Sequence, residues 1–154
     1  IQANDLIGRK IARESGQTVK GVIAEMRQVE AALAAAAGDD FAAIRKSLSS
    51  GVTALEEAVE YIVATYGQDI KAASVGSVPF LKLLGVVAGG WQMGRAALVS
   101  AQRLAEGSGD AGFYQAKITT ARFYADHVLS QAPGLAYSVV NGAAAALALP
   151  EEMF

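Results

Sequence analysis

With 154 residues, 53% of them hydrophobic and 18% charged, the chain is long enough to bury about two thirds of its unfolded surface and so to close a core of its own. A formal charge of −2 and a pI near 5.4 lack the basic footprint of a nucleic-acid binder. The absence of cysteine excludes disulfides, thiolate metal sites and cysteine catalysis. The chain begins with Ile1 in place of Met, and the opening IQANDLIGRKIARESG carries Asp5, Arg9 and Lys10 where a signal peptide has its apolar core. It is therefore expected to be a piece of a longer polypeptide, and the lack of cysteine leans toward a cytoplasmic location.

Taken in order, residues 2–11 place Ala3, Leu6, Ile7 and Ile11 on one side, with Asp5 and Arg9 four apart for an ion pair, and predict a short amphipathic helix. After Glu14-Ser15-Gly16 a second helix carries Val19, Val22, Ile23, Met26, Val29 and Leu33 at intervals of three and four. Gly38 is expected to close it in the left-handed conformation, and Asp39 or Asp40 to cap the next helix. There Phe41, Ile44, Leu48, Val52, Leu55, Val59, Ile62 and Tyr66 form one apolar seam opposite Lys46, Ser50, Thr53, Glu57 and Glu60.

Gly67 stops this helix, residues 74–77 form a small-residue hinge, and Ser77 or Val78 is expected to cap a third long helix with Pro79 in its first turn. Residues 79–103, PFLKLLGVVAGGWQMGRAALVSAQR, hold only Lys82, Arg95 and Arg103 as charges and predict a central post buried on most of its circumference. Gly85, Gly89, Gly90 and Gly94 each cost roughly 1 kcal/mol in a helix interior. Their i, i+4 spacing predicts flat patches where neighbouring backbones approach closely. The charge-free run of residues 83–94 is too short for a membrane span, which needs about 20 apolar residues. A phosphate-binding loop is excluded as well, because no Lys-Ser or Lys-Thr follows the glycines.

Past Gly107, Asp110 caps a last helix whose inner side carries Tyr114, Ile118, Ala121, Ala125, Val128 and Ala132. Pro133 should kink or break it, and Asn141-Gly142 is a second weak point. Short connections between four long helices predict an all-α, up-and-down antiparallel bundle with a short N-terminal helix added.

Few residues here suit catalysis. His127 is the lone histidine, and Asp126 beside it points about 100° away on a helix, so the pair does not form a catalytic dyad. Glu56, Glu57 and Glu60 lack the Glu-x-x-His partners of a bundle metal site and read as a solvated acidic face. Arg9, Lys10 and Arg13 fit a helix C-terminus by charge, with a phosphate contact as the rival reading. Phe113, Tyr114, Phe123 and Tyr124 are expected to pack in the core.

Three ordered segments carry a family likeness: IQANDLIGRK (1–10), FLKLLGVVAGGWQMGRAAL (80–98) and FYQAKITTARFYADHVL (113–129). Together they resemble the C-terminal region of acyl-CoA dehydrogenases, in the subgroup with an extra C-terminal helical domain that includes 3-methylmercaptopropionyl-CoA dehydrogenases. The resemblance implies a parent enzyme that oxidises an acyl-CoA to the 2,3-enoyl form, with FAD taking the hydride and a glutamate removing the α-proton. In that family the glutamate lies in a Tyr-Glu-Gly-Thr motif upstream of an Ile-Gln pair like Ile1-Gln2, so this chain carries no catalytic residue, and no FAD is expected on it alone. Gln2 is the one position the resemblance places near the flavin. It also implies that residues 1–14 end an upstream helical domain and residues 15–154 form the bundle domain. The partners implied are the remaining domains of the parent and a second copy in a homo-oligomer, with acyl-CoA as the parent's substrate. The alternative is a stand-alone helical module that binds a protein or an apolar ligand.

Overall fold

The computed structural model describes residues 1–153. The described residues form helices and turns without a strand, and no helix among them is long and apolar enough to cross a membrane. The four long helices are α2 (Gln17–Ala35), α3 (Asp39–Tyr66), α5 (Ser77–Ala105) and α6 (Ala111–His127). The shorter ones are α1 (Gln2–Asp5), α4 (Ile70–Val75), α7 (Ala132–Asn141) and α8 (Ala143–Ala146). Contacts show how they are layered: α3 and α5 form a central pair, α2 and α6 each pack on both, and α7 lies against both as well. This is the expected bundle.

The post at the centre is shared. Helix α3 buries Phe41, Ile44, Leu48, Val52, Leu55, Val59 and Ile62 as its spacing predicts, and adds Gly51, Ala54 and Ala58 on a second flank that meets α6 and α7. Helix α5 buries Phe80, Leu83, Val86, Val87, Gly90, Gly94 and Ala97. Its remaining face, with Val78, Leu81, Lys82, Gly85, Gln92, Arg95 and Val99, is exposed. The rest of its circumference is buried or half-buried, as expected, and the exposed strip marks the side that no helix among the described residues covers.

The glycines of α5 also differ from expectation. A Cβ on Gly90 would lie 2.5 Å from a δ-carbon of Leu129, and one on Gly94 would lie 3.3 Å from both Val29 and Leu33. A Cβ on Gly89 would overlap the Tyr124 hydroxyl. The neighbours that fill these notches are side chains, where close backbones were expected. Gly85 faces open space, with nothing within 4 Å of a Cβ there.

Leu129 explains much of the packing. It is 1% exposed and sits in a 3₁₀ turn, Leu129–Gln131, between α6 and α7. Its δ-carbons reach both Gly90 on α5 and Gly51 on α3, where a Cβ would come within 2.8 Å. The expected last helix therefore splits before the proline, at Val128, so that this side chain can turn inward. Pro133 occupies the first turn of α7, where a missing amide hydrogen costs nothing, and α7 ends at Asn141 with Gly142 as its C-cap.

Local corrections concern helix ends. Residues Leu6–Ile11 continue α1 as a π-helix in place of the expected α-helix, and Gly8 inside this wider turn admits the Tyr66 hydroxyl 2.5 Å from where a Cβ would be. Ala3, Ile7 and Ile11 are buried as expected. Helix α2 ends at Ala35 with an extended Ala36, and Gly38 precedes α3 at φ 116°, ψ 153°, a conformation largely confined to glycine. Asp39 and Asp40 fall in the first turn of α3, where they favour the helix dipole and do not cap it. Gly76 stands at the N-cap of α5, displacing Ser77 and Val78 from that role, and Asp69 caps the separate α4. Asp110 caps α6 as expected, its Oδ1 accepting from the amides of Gly112 at 2.8 Å and Phe113 at 3.2 Å.

Candidate functional site

The structure separates the residues with chemical potential. His127 is exposed at the end of α6, stacked on Phe123 with ring centroids 4.4 Å apart. Asp126 is engaged by Arg122, whose Nε donates to Oδ2 at 2.6 Å while Nη1 reaches Asp40 on α3 at 3.3 Å. The arginine thus ties α6 to the start of α3 and leaves His127 without an orienting carboxylate from its neighbour. Phe113 and Phe123, expected in the core, are 53% and 60% exposed. Helical spacing brought them to one side of α6, but the buried stripe is the narrower line Ile118, Ala121, Ala125.

Of Glu56, Glu57 and Glu60 on α3, two are bound by cations from α2. Lys20 Nζ lies 2.8 Å from Glu60, and Arg27 donates through Nη2 to Glu56 at 2.6 Å and through Nη1 to Glu30 at 2.7 Å. Arg27 Nη2 also donates to Thr53 Oγ1 at 3.0 Å. Its guanidinium is held above its ordinary pKa, chiefly by the Glu56 hydrogen bond against a desolvation cost. Burial raises the Glu30 carboxyl, but hydrogen bonds from Arg27 and Ser49 outweigh it and leave the group below its ordinary value. Between these pairs runs a groove of about 500 Å³ with Ile23, Ala24 and Val59 on its floor. Every charge lining it has an opposite partner, which suits a structural clamp better than a reactive centre. Arg27 was missed in the sequence, where only its i, i+3 relation to Glu30 is visible.

The N-terminal residues form a second groove, of about 540 Å³, between α1 with its π-helical extension and α5. Ile1, Gln2, Asp5, Leu6, Arg9 and Lys10 line one side, and Leu81 and Leu84 the other. Gln2 is exposed at its edge. Arg9 is committed to Asp5 at 3.0 Å, so the basic cluster does not act as three free cations; Lys10 and Arg13 stay exposed. The carboxylate of Asp5 is correspondingly occupied.

The α5 glycines do not form a cradle for a flavin nucleotide. Its pyrophosphate needs free backbone amides at a helix start or a glycine turn. The glycines of α5 lie inside a continuous helix whose amides serve the helix, and three of their open sides are filled by Tyr124, Leu129, Val29 and Leu33. The groove between α2 and α3 has its charges paired, whereas the N-terminal groove keeps Lys10 unpaired among the described residues.

The family profile described as "Acetyl-CoA dehydrogenase C-terminal like" matches residues 22–150, from the first turns of α2 past α8. The chain belongs to this family. A 3-methylmercaptopropionyl-CoA dehydrogenase from Ruegeria pomeroyi is 43% identical over 129 residues, which cover 84% of this chain and 22% of that protein. The chain thus spans about a fifth of that relative's length. As an acyl-CoA dehydrogenase C-terminal domain, it matches over the four long helices, whereas α1 and the π-helix lie ahead of the family match.

Proposed function

We propose that the chain is the C-terminal helical domain of a flavin-dependent acyl-CoA dehydrogenase that converts an acyl-CoA to the 2,3-enoyl thioester, and that it serves there as scaffold without supplying a catalytic group. The observation that carries this reading is the 43% identity to an enzyme of that name, of which the chain spans only 22%. The structure supports a scaffolding role in physical terms. Lys20 with Glu60 and Arg27 with Glu56 clamp α2 to α3, and the chain's one histidine stacks on a phenylalanine. FAD and the acyl-CoA then belong to the other domains, with Gln2 as the residue of this chain nearest to them. Residues 1–14 belong to the end of the preceding domain, and the whole enzyme is a cytoplasmic homo-oligomer.

The test uses the complete reading frame. Its purified product is expected to carry flavin absorbance that bleaches when an acyl-CoA is added anaerobically, while the 154-residue chain alone stays colourless. A frame without dehydrogenase domains, or a colourless full-length product, overturns the proposal.

A further inference from the structure

Several exposed apolar residues gather on one surface. Val78 is 68% exposed and Leu81 41% exposed on α5. At 100° per residue, Val78, Leu81 and Gly85 share one face of that helix. Leu6 and Leu84, half-buried, continue the surface toward α1 through the N-terminal groove. The charges around it are mainly positive: Lys10 in the groove and Lys82 beside Leu81 are exposed and have no ion-pair partner among the described residues, while Asp5 is neutralised by Arg9. Gly85 adds an independent clue. Unlike Gly89, Gly90 and Gly94, it has nothing of this chain to receive within 4 Å, so the chain's own packing gives no reason for an unfavourable helix residue there.

We infer that the face formed by Val78, Leu81, Leu84 and Gly85 with Leu6 is the seat of a helix from the dehydrogenase domains of the same polypeptide. That helix crosses at Gly85 with an apolar side chain and turns a carboxylate toward Lys10 or Lys82. The inference rests on the proposed function, since it takes its partner from the part of such an enzyme that this chain does not span; in the relative that part is most of the protein. Continuity supports it too: α1 and the π-helix precede the family match, and they already pack on α5 beside this face. A glycine at the crossing lets two helices approach closely, and surrounding leucines exclude water from the contact.

Hydroxyl-radical footprinting read by mass spectrometry tests the assignment on the full-length, flavin-loaded protein and on the 154-residue chain, which closes its own core. Oxidation of Val78 and Leu81 is expected to fall at least fivefold in the full-length protein. Leu81→Glu should restore the oxidation of Val78 there, while leaving the melting temperature of the 154-residue chain unchanged. Equal oxidation in both proteins, with flavin present, overturns the docking face and leaves the proposed function standing. Protection already present in the 154-residue chain, together with a dimer in sedimentation that Leu81→Glu dissolves, assigns the face to a second copy and overturns the inference. A full-length product without flavin defeats the proposed function, and with it this partner.

Discussion

Two stretches of α5 carry glycines at similar spacing and use them in opposite ways. Around Gly89, Gly90 and Gly94 the chain fills each notch with one of its own side chains, whereas around Gly85, one turn earlier, the notch opens outward among exposed Val78 and Leu81. A missing Cβ therefore marks a close approach without saying what approaches. Where the neighbour is internal, substitution should cost folding stability; where the neighbour is external, the isolated fold should tolerate or prefer a side chain.

The largest effect is expected at Leu129, the knob between Gly51 and Gly90. Removing its isobutyl group leaves a cavity flanked by two residues that have no side chain with which to fill it. Leu129→Ala should cost about 2 to 5 kcal/mol in urea unfolding. A loss well under 1 kcal/mol would mean that α3 and α5 close together when the knob is gone, and that the notch is not a fixed feature.

Gly89→Leu and Gly94→Leu approach the same region from the other side. Tyr124 blocks the first position, and Val29 with Leu33 the second. Overpacking of this kind should destabilise by roughly 1 to 3 kcal/mol or more. Unchanged thermal unfolding in either variant would remove that position from the filled class and blur the contrast with Gly85.

How much of this was legible beforehand differs between fold and site. The seam Phe41 to Ile62 and the cap at Asp110 follow from periodicity and short-range chemistry, and both lie where the sequence placed them. Rotation about α6 was less legible. Phe113 and Phe123 lie about 80° apart around α6, and only the surrounding helices decide which part of that arc is covered. The bridge from Arg27 to Glu56 joins residues 29 apart and depends on the α2–α3 register, which no local pattern encodes. Family membership was readable from the segments 80–98 and 113–129, which lie inside the family match, whereas 1–10 lies ahead of it; such a likeness does not require knowing which surfaces meet.

A smaller effect, dependent on pH, separates the hydrogen bond at the filled notch from its packing. The Tyr124 hydroxyl donates to the Val86 carbonyl at 3.0 Å, and burial raises its pKa above the ordinary value near 10. The folded state then holds this proton more tightly than the unfolded state. The contribution is fully present below the unfolded pKa and is lost as pH rises through the higher folded value. Tyr124→Phe should cost about 1 kcal/mol at neutral pH. It should also give a shallower loss of stability above pH about 10 than the parent chain shows. Parallel alkaline slopes would assign the alkaline sensitivity to other groups.

Gly85→Ala is expected to give the smallest change, and the one that reverses in sign. The position lies inside α5 with room for a methyl group, so the substitution removes a glycine's entropic cost without a collision. The 154-residue chain should gain roughly 0.5 to 1 kcal/mol. The same methyl group in the full-length protein would enter the space assigned to a crossing helix, so the gain should shrink or become a loss there. Comparing the two melting shifts thus measures how much of that glycine is explained by a neighbour outside this chain. Equal gains in both contexts would mean that nothing approaches Gly85 closely, and the distinction between inward and outward notches would then rest on burial alone.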